Sequence, residues 1–175
     1  MRLDELAGGR VIAHLDALVA LLGDAIDSGA SVSFLAATPR AALAAYWAAV
    51  ADELNARRCR MVAAFEGDRL VGAVQLKLDT PPNQPHRAEV AKLLVHRASR
   101  RQGLGRRLMD TIEAIARAED RTLLTLDTQT GSDAERLYAA LGWTRAGTIP
   151  AYALRPDGTL AGTTLFYKLT SAGER

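Results

Sequence analysis

The spacing of apolar side chains changes period between residues 56 and 59, and that change restricts the fold more than any other feature. Upstream, Leu43, Tyr46, Trp47, Val50 and Leu54 recur at helical intervals, and Thr38 followed by Pro39 predicts an N-cap opening a helix that runs to about Ala56. An earlier helix is predicted over residues 10–28 from Val11, Ile12, Leu15, Leu18, Val19, Leu22 and Ile26, ending at Asp27-Ser28-Gly29. "SVSFLA" between the two fits neither period. Downstream, "CRMVAAFEGDRLVGAVQLKL" reads as two strands joined by a tight Glu66-Gly67-Asp68 turn, and "RAEVAKLLVH" as a third strand after the turn-forming "DTPPNQPH".

Beyond Gly103, Leu104, Leu108, Met109, Ile112, Ile115 and Ala116 mark another helix, and residues 122–128, "TLLTLDT", have the character of a buried strand. A strand, a helix and a strand in that order predict a parallel crossover. Ser132 and Glu135 form a capping box ahead of a short helix carrying Leu137, Tyr138 and Leu141 and stopping at Gly142. Two closing strands flank the Arg155-Pro156-Asp157-Gly158 turn. The expected fold class is α/β with a mixed, mostly antiparallel sheet flanked by helices.

At 175 residues, about half of them apolar, the chain is long enough for one core, so one domain over residues 1–175 is expected. A net charge of +2 is too balanced for a surface given over to nucleic acid or anionic lipid, so any basic site must be local. The lone Cys59 excludes a disulfide framework, and His14, His86 and His96 are too scattered for metal ligation. "MRLDELAGGR" lacks a signal-peptide core and no run approaches bilayer length, so a cytoplasmic protein free of membrane contact is expected.

Residues 99–110, "SRRQGLGRRLMD", place Gly103 and Gly105 among Arg100, Arg101, Arg106 and Arg107 at a predicted helix start. Unpaired N–H groups and the positive end of the helix dipole converge there, small residues admit a phosphate, and arginines neutralise it. The pattern suits a diphosphate. A Walker loop would end in Gly-Lys-Ser/Thr where this chain has Arg-Arg-Leu. A dinucleotide fingerprint requires a small residue where Leu108 stands and a strand ending at the first glycine, and only Asp127 speaks for it.

Arg100-Arg101-Gln102-Gly103-Leu104-Gly105 resembles the Arg/Gln-x-x-Gly-x-Gly/Ala motif of the GNAT superfamily of N-acetyltransferases, and the element order is similar to that fold along nearly the whole chain, with the first strand weak or missing. "HRAEVAKLLVH", "LYAALGW" and "PDGTLAGTTLFYKL" look most like the tabtoxin-resistance branch. One departure is Gly131, seven positions before the helix tyrosine, where family members often carry an asparagine; Ser132 is a possible substitute.

The resemblance implies acetyl-CoA as donor, a small amine such as an amino-acid-like toxin or antibiotic as acceptor, direct attack in a ternary complex, and no metal. It implies a central strand pair that splays apart. The backbone of Leu93, Leu94 and Val95 would then hold the pantetheine arm, with the Leu93 N–H facing the thioester oxygen. Arg100, Arg101, Gln102, Gly103, Leu104, Gly105 and Arg106 would surround the diphosphate.

Tyr138 occupies the position of the family's acid, and its ordinary pKa of about 10 keeps it protonated. Glu89 is the first choice of base, expected on the same strand face as Leu93, and Asp127 competes with it. Tyr46, Trp47, Lys92 and His86 are possible acceptor-site residues. Cys59, with no neighbouring histidine, is expected to be inert packing. A protein N-acetyltransferase and an acyl-CoA sensor without turnover remain open, as do monomer and homodimer.

Overall fold

The computed structural model describes residues 1–170. Seven strands form one mixed sheet in the order β1-β2-β3-β4-β5-β7-β6. They are β1 (Arg2–Glu5), β2 (Cys59–Glu66), β3 (Arg69–Lys77), β4 (Arg87–Val95), β5 (Leu123–Gln129), β6 (Thr144–Leu154) and β7 (Leu160–Leu169). Every neighbouring pair is antiparallel except β4 and β5. Helices α1 (Gly8–Ala13), α2 (Leu15–Asp27) and α3 (Arg40–Asn55) bury Val11, Leu18, Leu22 and Trp47 against one face. On the other, α4 (Leu104–Ala118) and α5 (Asp133–Ala140) bury Leu108, Ile112 and Tyr138. None of the described helices is long and apolar enough to cross a membrane.

Three expectations are corrected. The first strand is present: β1 pairs Arg2–Glu5 with Val62–Phe65. It escapes pattern reading because an edge strand of four residues with three charges has almost no alternation to detect. The helix expected over residues 10–28 is two helices, broken at His14 (φ −108°, ψ 19°). Apolar spacing runs on through the break. What the bend achieves is tertiary: the His14 ring lies 5.2 Å from that of Phe65. Gly8 brings α1 so close to α3 that a Cβ there would stand 2.5 Å from the Ala51 carbonyl oxygen.

The third correction moves a cap. Pro39, not Thr38, is the N-cap of α3, and the Thr38 hydroxyl instead accepts from the Leu35 N–H (3.1 Å). "SVSFLA" lies in the strap between α2 and α3, and Ala36 N–H donates to the Pro156 carbonyl (2.9 Å) at the tip of the β6–β7 hairpin.

A buried polar cluster that apolar patterning does not register ties α4 to the closing strands. Glu113 accepts from Trp143 Nε1 (2.9 Å) and Lys168 Nζ (2.8 Å), and its side chain is only 7% exposed.

Candidate active site

The parallel pairing of β4 with β5 lasts only from Arg87 to Glu89, opposite Leu123 to Thr125. Beyond that the strands part. The cause lies in β4: Gln75 pairs with Ala91 but Ala73 with Leu94, so β4 carries one extra residue there, and Lys92 takes φ +51°. The bulge reverses the alternation of side chains. Ala88 and Val90 face the α4 core, and so do Leu93 and Val95, whereas Leu94 faces the opposite core. Glu89 therefore lies on the face opposite to Leu93, contrary to expectation, because the extra residue inverts the parity.

The gap opens into a cavity of about 880 Å³. Leu93, Leu94 and Val95 line it. Leu94 does so through its backbone, since its side chain is buried in the opposite core. At one end stands the loop before α4, with Arg101 (φ +59°) and Gly103 (φ +77°) both left-handed. The first intrahelical bond of α4 joins Arg107 N–H to Gly103 O, so the amides of Leu104, Gly105 and Arg106 precede the ladder. All three residues line the cavity, as do Arg100, Arg101 and Gly103.

Gln102 is not among the lining residues; its amide donates to the Ala98 carbonyl (3.3 Å). Arg107 likewise turns away, donating to the carbonyl of Met1. The glycines also meet local structural needs. Gly103 is needed for its left-handed turn, and Gly105 for close packing, since a Cβ there would meet Leu137 Cδ2 at 3.0 Å.

Asp24, near the end of α2, holds the start of this loop. It accepts from the backbone N–H (2.9 Å) and the guanidinium of Arg97, with Arg100 Nη2 at 3.8 Å. Partial burial opposes its charge, but the bonds from Arg97 and the charges of His96 and Arg97 hold the carboxyl below its usual range. Nothing in the helical pattern of α2 marks Asp24 out. Its role follows from contacts with residues 73 positions away.

Tyr138 is among the cavity-lining residues and is 6% exposed, its ring 6.1 Å from those of Trp143 and Phe166. Burial, with the nearby Asp127 charge, pushes its pKa well above the tyrosine range, so the hydroxyl keeps its proton. Its helix starts as expected: Ser132 Oγ accepts from Glu135 N–H (3.1 Å). The Glu135 carboxylate, however, bonds the N–H of Gly131 and the hydroxyl of Thr164 (2.8 Å), which ties α5 to β7.

The 28–33 strap and the β6–β7 hairpin, including Tyr152 and Thr163, also line the cavity. Asp127 accepts from Thr163 Oγ1 (2.9 Å), and Glu89 is exposed in the lining. Lys92 Nζ donates to Ser33 Oγ (3.0 Å) and sits 5.6 Å from the Tyr46 ring centroid. Tyr46 exchanges hydrogen bonds with Gln75 behind this, whereas Trp47 is wholly buried. His86 is not in the lining; its carbonyl accepts from Thr122 and Leu123 at the start of β5. Cys59 is also outside, and burial pushes its thiol up to about 11.

Backbone strain gathers around this cavity. Of six non-glycine residues with positive φ among the described residues, Ser33, Lys92 and Arg101 line it, and Ala151 precedes Tyr152 in the lining. The other two, Arg57 and Asp120, follow the ends of α3 and α4, where left-handed residues are ordinary.

Solved structures share the architecture. A ribosomal-protein-alanine N-acetyltransferase from Brucella melitensis superposes with a TM-score of 0.78 at 18% identity, over 97% of this chain and 100% of that one. An acetyltransferase from Salmonella typhimurium, solved with its cofactor acetyl-CoA, gives a TM-score of 0.79 at 16% identity, over 100% and 96%. At such identities the likeness is one of fold. Sequence decides the family: residues 27–143, two thirds of the chain and the whole of the parted strand pair and its loop, match the acetyltransferase (GNAT) family. The chain is therefore a member of the acetyltransferase (GNAT) family.

Proposed function

We propose that the protein transfers the acetyl group of acetyl-CoA to the primary amine of a small molecule, by direct attack in a ternary complex. The observation that carries this reading is the parting of β4 from β5, which leaves a strand edge open on the same cavity as the α4 amides and Tyr138. Acetyl-CoA supplies an acetyl group already activated as a thioester. The residues present suit its diphosphate and its pantetheine arm. The amides of Leu104 to Arg106, with Arg101 and Arg106, would hold the diphosphate, and the backbone of Leu93 to Val95 the pantetheine arm. The Leu93 N–H would meet the acetyl oxygen.

The chain's own groups manage the protons. Glu89, with Asp127 as the alternative, takes one from the acceptor's ammonium, directly or through water. The nitrogen–carbon bond forms as the carbon–sulfur bond breaks, the Tyr138 hydroxyl gives its proton to the departing sulfur, and the second proton released by the acylated nitrogen returns through water to the tyrosinate, leaving amide and free thiol. The 28–33 strap and the β6–β7 hairpin, both in the lining, would flank the acceptor, which supports a small molecule over a protein chain.

Incubation with acetyl-CoA and a panel of primary amines, following free thiol, should show thiol release matched by amide formation. Coenzyme A alone should raise the thermal midpoint, because it binds the native state. A midpoint shift without turnover on any amine would favour the sensor reading, and absence of both would overturn the site.

Asp24 supplies a second check, as a positioning residue. Asp24→Asn should raise the Kd for coenzyme A about three- to tenfold, the effect of loosening charge-assisted bonds that hold the loop. Because its carboxyl titrates below its ordinary value when folded, Asp24 contributes stability above the usual carboxylate pKa of about 3.9 and loses it as pH falls further. Denaturation midpoints of the variant should accordingly fall less steeply than wild type below about pH 4.

A further inference from the structure

The acceptor end contains a cation that the transfer chemistry does not use. Lys92 projects from the β4 bulge into the cavity lining, three residues after Glu89. Its ammonium bonds the Ser33 hydroxyl (3.0 Å) and rests 5.6 Å from the centroid of the Tyr46 ring, which Gln75 anchors from below. Among the described residues it makes ion-pair contact with no carboxylate, although Glu89 and Asp127 act on it from a distance. Ser33 takes one of its three donors, which leaves two for solvent or a ligand.

Both partners of this contact have left-handed backbone, Ser33 at φ +74° in the strap and Lys92 at φ +51° in the β4 bulge. Non-glycine residues rarely hold such angles, and two of them meeting through one hydrogen bond at a cavity wall is the pattern of a functional clamp rather than of packing. Apart from the arginines and Asp133 at the α4 and α5 starts and Arg136 on α5, the charged groups of the lining are thus two carboxylates, Glu89 and Asp127, and one ammonium with a hydroxyl at its side. That distribution complements a ligand bearing a positive and a negative group. Burial, and then repulsion from Lys77, also hold the Lys92 ammonium below its ordinary pKa, so an incoming anion relieves a real cost.

We propose that Lys92 and Ser33 form a carboxylate subsite, making the acceptor a primary amine that also carries a carboxylate. The inference rests on the acetyltransferase reading above and names its substrate class. The acceptor's ammonium lies toward Glu89 and Asp127, and its carboxylate receives a charge-assisted hydrogen bond from Lys92 and a second bond from the Ser33 hydroxyl.

The test compares each common amino acid with the amine left by its decarboxylation, following thiol release from acetyl-CoA. Wild type should favour at least one acid over its amine by about tenfold or more in kcat/KM, carried by KM. Lys92→Met should bring that ratio to about one, and Lys92→Arg should keep most of it. Turnover of amines and acids alike, or a preference that survives Lys92→Met, would overturn the carboxylate subsite and leave the acetyltransferase reading standing.

Calorimetry provides an arm independent of turnover. N-acetylated amino acids should bind the coenzyme A complex of wild type and lose about tenfold in affinity with Lys92→Met, whereas N-acetylated alkylamines should not distinguish the two. Equal binding of both product classes would overturn the proposal, even if no free amine is turned over. A coenzyme A thermal shift shared by both variants shows that they are folded.

Discussion

Tyr138→Phe should lower kcat for acetyl transfer by about 10²- to 10⁴-fold, the usual contribution of a positioned general acid, while coenzyme A should bind the variant nearly as well as wild type. The substitution keeps the ring, which is wedged among Trp143, Phe166 and the α4 core, and removes only the hydroxyl. Burial ensures that this hydroxyl is protonated throughout the working pH range, so it is available to a departing thiolate and unavailable as a base. The variant should also lose most when the thiol is a poor leaving group. Steady-state kinetics with coenzyme A calorimetry decides the matter: a kcat within about threefold of wild type would reduce Tyr138 to a core residue.

Glu113→Ala has the largest expected effect on stability, about 3 kcal/mol. The carboxylate is nearly buried between α4 and the closing strands, where it accepts from the Trp143 indole and the Lys168 ammonium. Lys168 also reaches the carbonyl of Leu141 (3.0 Å), at the end of α5. Truncation leaves a partly buried ammonium and an indole N–H without their acceptor, and the penalty of those orphans exceeds the modest net worth of the pair itself. Thermal unfolding should shift by about 6–12 °C for a chain of this size. Glu113→Gln, which keeps an acceptor for Trp143, should lose about half as much. Chemical denaturation with an unchanged m value reads the effect directly, and a loss below about 1 kcal/mol would show that the cluster relaxes on truncation.

Much of the layout is legible in order and period alone. The β2–β3 turn, the crossover through α4 and the Ser132 cap of α5 each have a local cause: a glycine at positive φ, an apolar stripe at helical spacing, and a hydroxyl facing a free N–H. The glycine motif, too, stands where its order predicted, at the start of α4 and in the lining of the parted strands. What escaped was non-local. The His14 break, the short charged β1 and the anchoring of the loop by Asp24 depend on partners far along the chain, to which a window of neighbouring residues is blind.

The sequence by itself determined most of the elements, their order and the chemical inventory: a glycine- and arginine-rich loop ahead of a helix, a helix tyrosine, two carboxylates and a lysine near one strand. Only the tertiary structure decided how that inventory is dealt between the two faces of β4. One extra residue opposite Ala73–Gln75 inverts the alternation, sends Glu89 to the face opposite Leu93, and presents Lys92 to Ser33 at the cavity wall. A strand's pattern is set by its own residues, but a bulge exists only relative to a partner strand, so its consequences are settled when β3 and β4 pair.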